Sequence, residues 1–324
     1  MASPNSTFTE LVSTTFRNHR SQVADNVSNN NVLYRRIVDG GRYRKEDGGL
    51  TIVCPLDYNE NGTYQRYSGY DILNVQQSDV LSAAEYQWMQ IAMNVVSSGR
   101  ELRINKGKSK IINLAKAKMR NAIRTFANNF SFDMYSDATL PNQINGLQAL
   151  VSDTGLGTVG GISATTWAFW QNKVQSAAAP IQGGGAVTVS ATTIENDMFL
   201  PLYMALTRGD DKPNLIITDN SYFRFFEASQ ISLKRYMTSD MAKGGFMSLK
   251  YKNCDVVFDG GSGIPTAHAY FLNTNYMELV VHEDADLEVQ DDMKPTNQDA
   301  AVVPILWMGN QVVSNRALQG VAKA

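Results

Sequence analysis

The side chains best suited to catalysis are few and scattered along this sequence. Three histidines occur, His19, His268 and His282, and none has a catalytic signature around it. A Ser–His–Asp or Cys–His site needs a histidine within hydrogen-bond reach of the nucleophile, so it would have to use one of these three. His268 and His282 flank predicted strands and are interpreted as structural. No catalytic residue is assigned, and the chain is not expected to be an enzyme.

Two glycine-containing motifs resemble parts of catalytic loops without completing them. Gly107-Lys108-Ser109 has the ending of a phosphate-binding loop, but Leu102 stands where that motif requires its first glycine. Residues 260–263 (GGSG) resemble a nucleophile elbow whose final glycine is replaced by Ile264. We predict a flexible turn at 260–263 and no nucleotide cofactor.

Metal chemistry has little support from the residue spacing. The carboxylate pairs at 210–211 and 291–292 lie outside any cation-loop pattern. Cys54 and Cys254 are too far apart in the sequence for a zinc knuckle, and two cysteines give no disulfide framework. The prediction is therefore no metal and no cofactor, in a reducing compartment.

Composition limits the class of protein. Of 324 residues, 43% are hydrophobic and 19% are charged, which is enough apolar material for a core and excludes wholesale disorder. The formal net charge of −2 argues against a globally basic nucleic-acid binder. A polar N-terminus and the absence of a run of about 18 apolar residues predict no membrane contact.

Charge is nevertheless segregated along the chain. Residues 1–45 carry seven basic and three acidic side chains, and residues 100–124 carry nine basic and one acidic. Residues 278–299 carry eight acidic side chains and one lysine. Blocks of opposite sign attract, within one subunit or between subunits, and the basic blocks could also make weak contacts with nucleic acid.

The elements that would position these groups follow from periodicity and turn signals. Residues 1–45 are expected to form an extended arm. Residues 49–73 predict a hairpin turning at Asn59-Glu60-Asn61-Gly62, with Pro55 on an edge strand. Two strands alone are marginal in water, so the hairpin must lie on its own domain or on a neighbouring subunit.

Further along, helix and strand signals alternate. Residues 82–98 are ambiguous, because a capping-box pattern favours helix and the Val95-Val96 pair favours strand. Apolar residues at steps of three and four predict a helix over 108–132, which has a basic opposite face. Residues 141–265 read as a glycine-rich mixed α/β lobe, and 266–324 as strands.

Several stretches, taken in order, resemble one group of tailed-phage major capsid proteins. Residues 84–123 (AEYQWMQIAMNVVSSGRELRINKGKSKIINLAKAKMRNAI) are similar to the region around their long spine helix. Residues 134–137 and 145–148 resemble their LYSDG and GGLQ segments, and 157–173 (GTVGGISATTWAFWQNK) resembles their GGI-x-R-x-x-x-x-FWRN stretch. Shorter similar strings are LYMALTRGDDKPNLIITDNSYF, DVVFDGG, YFLNT and SNRALQGV.

The resemblance runs from about residue 35 to 322, with departures at Ser163-Ala164 and Gln171. It implies an α+β protein with the Hong Kong 97-type capsid fold. The implied divisions are an N-terminal arm at 1–45, an E-loop hairpin at 46–78, a peripheral domain at 79–137 with its spine helix at about 108–132, an axial α/β domain at 138–265, and peripheral return strands at 266–324.

The function implied is that of a structural subunit forming hexamers and pentamers of an icosahedral shell around double-stranded DNA. Partners would be further copies of the chain, scaffolding and portal proteins, and DNA held without sequence preference, in a virion assembled in the host cytoplasm. Expected inter-subunit contacts are Leu50, Ile52, Tyr64, Arg66, Tyr67 and Tyr70. Basic groups expected to face DNA or a neighbouring subunit are Arg17, Arg20, Arg35, Arg36, Lys108, Lys116 and Arg120.

Other interpretations stay open at this point. The main alternative is an encapsulin-like nanocompartment shell of the same fold, which encloses protein cargo. A nucleotide-dependent enzyme and a stand-alone nucleic-acid binder are the remaining classes.

Overall fold

The computed structural model describes residues 31–104, 108–231, 248–259 and 263–324, with side chains for all of these except 102–116, 231 and 248. His19, Arg17 and Arg20 lie outside the described residues, as does most of the predicted turn at 260–263. Lys108 and Lys116 lie on a described helix, but their side chains are outside the description.

Helices and strands are mixed along the chain, as an α+β protein requires. The helices are α1 Val32–Asp39, α2 Gly99–Ile104, α3 Lys108–Asp133, α4 Leu147–Leu150, α5 Leu200–Ala205 and α6 Asn220–Ile231, with a π-helix at Ile194–Phe199. The strands are β1 Tyr43–Glu46, β2 Ile52–Asp57, β3 Leu81–Tyr86, β4 Met89–Ser98, β5 Thr158–Val159, β6 Ile162–Ser163, β7 Lys173–Ser176, β8 Leu215–Thr218, β9 Ser248–Tyr251, β10 Cys254–Phe258, β11 His268–Leu272, β12 Met277–His282, β13 Glu288–Val289, β14 Ala300–Val313 and β15 Gly320–Lys323.

Helix α3 is the helix that periodicity predicts over 108–132. Its buried side chains are Met119, Ile123, Phe126, Ala127 and Phe130. They recur at steps of three and four and therefore share one face. The ring of Phe130 meets Trp307 of β14 edge-on at 5.1 Å, so this face packs on the sheet that contains β14.

The ambiguous segment 82–98 consists of strands. β4 pairs antiparallel with β14 over its whole length, from Met89 opposite Gly309 to Ser98 opposite Ala300. Ten paired residues outweigh the local capping-box signal, because a local signal is a weak prior against long-range pairing. β14 also pairs with β12 and β13, and β1 adds parallel to β12, giving the order β1-β12-β14-β13 with β4 on the remaining edge of β14.

A second sheet has the order β7-β15-β11-β8-β10-β9. The π-helix, α5 and α6 pack against it around a core that includes Phe199, Phe226 and Phe271. Strands from 266–324 take part in both sheets: β11 and β15 lie in this one, and β12, β13 and β14 lie in the first. A continuous apolar core joins the two sheets.

The predicted hairpin at 49–73 is wrong in its second strand. β2 pairs with β3, with Ile52 opposite Tyr86 and Asp57 opposite Leu81, so the connection spans 58–80. Pairing with β3 buries Ile52, Cys54 and Tyr86 on one face, which a partner strand within the fully exposed part of the connection would not do.

Candidate functional site

The ribbon of β2 and β3 is anchored in its own subunit at its root. The hydroxyl of Tyr86 donates to the carbonyl of Val313 at 2.8 Å, and Glu85 N–H donates to the carbonyl of Gly160 at 2.9 Å. Burial raises the pKa of the Cys54 thiol to about 11, so this cysteine remains a neutral packing group.

Beyond the root, residues 58–80 form a loop that we call the β2–β3 loop. Side-chain amides hold it together in place of a backbone ladder. Gln65 Nε2 donates to the carbonyl of Ile72 at 3.0 Å, and Gln65 Oε1 accepts from Asn74 N–H at 3.1 Å. Asn74 Nδ2 donates to the carbonyl of Gly62, whose own N–H donates to Ser78 Oγ.

The loop carries large apolar side chains that its own subunit leaves in solvent. Ile72 is 93% exposed and Val75 is 90% exposed. Further exposed members are Tyr64, Tyr67, Tyr70 and Leu73. Burying one such side chain completely is worth about 1.5–3 kcal/mol, so covering this set of side chains would be favourable.

Five of the six residues predicted to contact another subunit are exposed: Leu50, Tyr64, Arg66, Tyr67 and Tyr70. Ile52 differs, because its side chain is fully buried in the core of its own chain. Ile52 therefore anchors the ribbon in its own subunit, and its prediction as an inter-subunit contact is wrong.

The predicted basic residues divide into paired and exposed groups. Arg35 lies 3.4 Å from Asp39 and Arg36 lies 3.8 Å from Asp255. Arg120 is exposed on α3, one turn from the exposed Arg124. The structure therefore leaves Arg120 available to an external partner and engages the other two within the subunit.

The acidic block is met by residues of β1 and its flank. Glu278 lies 3.4 Å from Arg42 and 3.6 Å from Arg44, and Asp286 lies 2.6 Å from Lys45. Two acidic side chains of the block, one on β12 and one shortly after it, are therefore paired within the subunit. Pairs this exposed contribute little stability individually, but together they fix β1 alongside β12.

Among the described residues, the catalytic candidates considered above lie apart from one another. His268 pairs with Asp153, His282 Nδ1 accepts from Asp284 N–H, and Asp211 accepts from the Tyr276 hydroxyl. Among the residues with a described position, no group of three or more His, Cys, Asp or Glu could hold a metal ion. Over the same ranges, no helix has the length and apolar character needed to cross a membrane.

Sequence reasoning misses Arg316, which is fully buried. Its guanidinium donates to the carbonyls of Leu150, Leu156 and Trp170 and to Ser152 Oγ, at 2.8 to 3.3 Å. Burial lowers its pKa to about 10. Arg316 lies between β14 of the first sheet and β15 of the second, and its hydrogen bonds connect this position to the segment that follows α4. No local sequence pattern indicates this role.

Comparison with known proteins finds likeness in structure alone. No protein-family model and no curated protein matches the chain. A subunit of the cyanophage A-1(L) capsid superposes with a TM-score of 0.60 at 14% identity, covering 87% of this chain and 90% of that one. The capsid of an empty GTA particle gives 0.52 at 14% identity, with 88% of each chain covered.

A shell that is not a phage capsid also matches. The holo-SrpI encapsulin complex of Synechococcus elongatus gives a TM-score of 0.53 at 8% identity, covering 89% of this chain and 86% of that one. The chain therefore has the fold that phage capsid subunits and this encapsulin share.

Proposed function

We propose that this protein is the major capsid subunit of a tailed phage, built on the Hong Kong 97-type fold. In this proposal residues 1–45 contain the arm, 46–78 are the E-loop, and 138–265 are the axial domain. The prediction of an extended arm is wrong for α1 and β1, because α1 buries Val32, Leu33 and Ile37 in the subunit's own core and β1 pairs with β12. The peripheral domain comprises 79–137 with α3 as the spine helix, together with the strands of the first sheet from 266–324. Its role is structural, and assembly takes the place of catalytic turnover.

The observation that carries the proposal is the β2–β3 loop. Its root is bonded into the subunit through Tyr86 and Glu85, whereas its tip exposes a set of apolar side chains that includes Tyr70, Ile72 and Val75. A monomeric protein rarely exposes so many large apolar groups on one segment. A neighbouring subunit in a shell would cover them, and closed rings would repeat this contact many times.

The partners follow from charge and from the mode of assembly. Exposed basic groups such as Arg120 and Arg124 on α3 are suited to offsetting phosphate repulsion from packaged double-stranded DNA without reading its sequence. Scaffolding and portal proteins would direct shell closure in the host cytoplasm, and the finished subunit would reside in the virion capsid.

An encapsulin-like nanocompartment is the second candidate, because the TM-score of 0.53 with the Synechococcus encapsulin is comparable to the 0.52 with the GTA capsid. Sedimentation and electron microscopy of the purified full chain, with measurement of nucleic-acid content, test both. Closed shells that are free of protein cargo, whether empty or containing nucleic acid, support the capsid function. Small spheres filled with protein cargo support the nanocompartment, and a compact monomer at high concentration contradicts both.

A further inference from the structure

Strand β4 presents an unprotected edge. Its ten residues (MQIAMNVVSS) include no charge, proline or glycine, the features with which proteins usually discourage pairing at an edge. One side of β4 pairs with β14 throughout. Along the other side, no strand within the described ranges pairs with it.

Contacts at the end of β4 show which backbone groups face this open side. Gly99 N–H continues the ladder toward β14 by donating to the carbonyl of Asp299 at 2.7 Å. On the opposite side, Ser98 N–H donates to Glu101, and the carbonyl of Val96 accepts from Lys118 Nζ at 2.8 Å. Backbone groups alternate direction along an antiparallel strand.

The even-numbered residues of β4 therefore direct their N–H and C=O groups outward. Glu101 and Lys118 cover the end of the edge near Ser98. The outward backbone groups of Gln90, Ala92 and Asn94 have no partner strand in the described part of the chain.

Residues of β4 line two cavities. One, of about 440 Å³, is lined by residues that include Trp88, Ala92 and Leu306. The other, of about 350 Å³, lies between β4 and α3 and includes Met93 and Ala122. Since alternate side chains of a strand point to opposite faces, a strand added here would place side chains on both faces of the sheet, beside the residues that line these cavities.

The β2–β3 loop contains a segment with the matching properties. Residues 72–77 (ILNVQQ) expose Ile72, Leu73 and Val75 and form no backbone–backbone hydrogen bond with the described residues. Gln65 occupies the carbonyl of Ile72 and the N–H of Asn74, which lie on the same side of the segment. The N–H of Gln76 donates to Asn74 Oδ1 at 3.1 Å. In an extended strand, the backbone groups of Leu73 and Val75 would face the side opposite to those of Ile72 and Asn74.

We propose that residues 72–77 of a second copy of the chain add as a strand to the open edge of β4. The inference rests on the proposed function, because assembly supplies the second copy. Within one subunit, Ile72 and Val75 are almost fully exposed, so the segment does not cover the edge of its own β4. Pairing would give hydrogen-bond partners to the outward backbone groups of β4 and of residues 72–77, and it would also bury apolar side chains of the loop.

Cysteine pairing in assembled particles tests the contact directly. Val75→Cys is combined in turn with Gln90→Cys, Ala92→Cys and Asn94→Cys to sample the register, and the particles are oxidised. We expect a ladder of disulfide-linked multimers on a non-reducing gel for one or two of the pairs. The natural cysteines are both buried, so wild-type particles serve as the silent control.

Each alternative occupant gives a different pattern. Dimers from Ala92→Cys alone would show that β4 of a second copy occupies the edge, and would overturn the proposal. Intact particles with no ladder from any of the three pairs would overturn it as well. If the wild-type chain forms no particles, the proposed function itself fails, and this outcome is distinct from both.

Hydrogen exchange supplies a readout without substitutions near the loop. The amides of Gln90, Ala92 and Asn94 should exchange at least about tenfold more slowly in particles than in dissociated subunits.

Ala92→Pro should leave a folded subunit, because the N–H it removes faces away from β14, but should prevent shell closure. Ala92→Ser, which keeps that N–H, should assemble normally. Equal exchange in both states, or normal shells from Ala92→Pro, would contradict the added strand.

Discussion

His268 and Asp153 form a charge pair that joins β11 to the turn before β5. His268 Nε2 lies 3.0 Å from Asp153 Oδ2, and its Nδ1 lies 2.8 Å from the carbonyl of Thr266. Both partners can only accept, so the imidazolium is the one form of the ring that can donate to both. Tyr270 stacks on the ring and Lys323 lies nearby, so the pair is partly shielded from solvent.

This geometry predicts a pH-dependent contribution to stability. Burial lowers the pKa of His268, but the hydrogen bonds to Asp153 and the Thr266 carbonyl outweigh it, and the net pKa is raised. The hydrogen bond from His268 lowers the pKa of Asp153. The contribution of His268 is thus complete below its unfolded pKa of about 6.5 and is lost as the pH rises through the folded value. That of Asp153 is present above about 3.9 and is lost as the pH falls through its folded value.

Urea unfolding of dissociated subunits at pH 5.5 and pH 8.5 measures this effect. His268→Gln should reduce the free energy of unfolding more at pH 5.5, by up to about 1 kcal/mol given the partial exposure of Asp153. Asp153→Asn, which keeps an acceptor without the charge, should flatten the same pH dependence. A larger loss at pH 8.5 than at pH 5.5 would contradict the charged pair.

Arg316→Leu should be among the most destabilising single substitutions in the chain. It removes four donated hydrogen bonds and leaves buried carbonyls such as those of Leu150 and Trp170 without a donor. Each unsatisfied buried group costs about 1–3 kcal/mol, so we expect a loss of about 3–5 kcal/mol in chemical denaturation. Arg120→Leu, on the exposed face of α3, should change stability by no more than about 0.5 kcal/mol. Equal effects of the two substitutions would show that the buried hydrogen bonds of Arg316 do not stabilise the fold.

Two adjacent glycines separate backbone strain from steric contact. Gly160 and Gly161 both have positive φ, +58° and +75°. A Cβ at Gly160 would lie 2.8 Å from the Cβ of Ala84, whereas one at Gly161 would meet nothing within 4 Å. Gly161→Ala should cost about 1–2 kcal/mol of strain, and Gly160→Ala a further 1–3 kcal/mol by displacing β3. Comparable thermal stabilities of the two variants would show that β3 does not press on this turn.

Local periodicity predicts helix α3, because apolar residues that are buried on one face of a helix recur in the sequence at steps of three and four. It fails for β2, where the Asn61-Gly62 signal favours a short-range turn but the strand pairs with β3 beyond residue 80. The pairing of β2 with β3 depends on the burial of Ile52 and Tyr86 and on the contact of β3 with Gly160. Tyr86 and Gly160 lie far from β2 in the sequence, so no local pattern indicates this pairing.

The candidate site divides in the same way. The exposure of the tyrosines of the β2–β3 loop could be predicted, since two strands and a loop cannot bury them, and their contact with a second subunit stays a prediction. The anchoring role of Ile52 was not predictable, because it depends on which strand pairs with β2. Arg316 was also not predictable, since the groups it binds lie about 150 residues away in the sequence.

The corrected pairing of β2 sharpens the test of the β2–β3 loop. Deleting residues 50–72 would remove β2 itself and expose the partners of Ile52, so a failure to assemble would be ambiguous. Replacing residues 59–79 with a two-residue Asn-Gly turn keeps the full β2–β3 pairing and the bond between Tyr58 N–H and the carbonyl of Val80. We expect subunits with unchanged circular dichroism and a melting temperature within a few degrees of wild type, but no closed shells by sedimentation or electron microscopy.

A full-length variant distinguishes loss of contact from loss of loop length. Changing Tyr70, Ile72 and Val75 to serine retains the length of the loop and the amide bonds of Gln65, and removes three of the six large apolar side chains that the loop exposes. Because burial of each side chain is worth about 1.5–3 kcal/mol and the contact recurs in every subunit, this variant should also fail to close shells. Particles of normal size and thermal stability from either variant would show that the shell holds together without the β2–β3 loop.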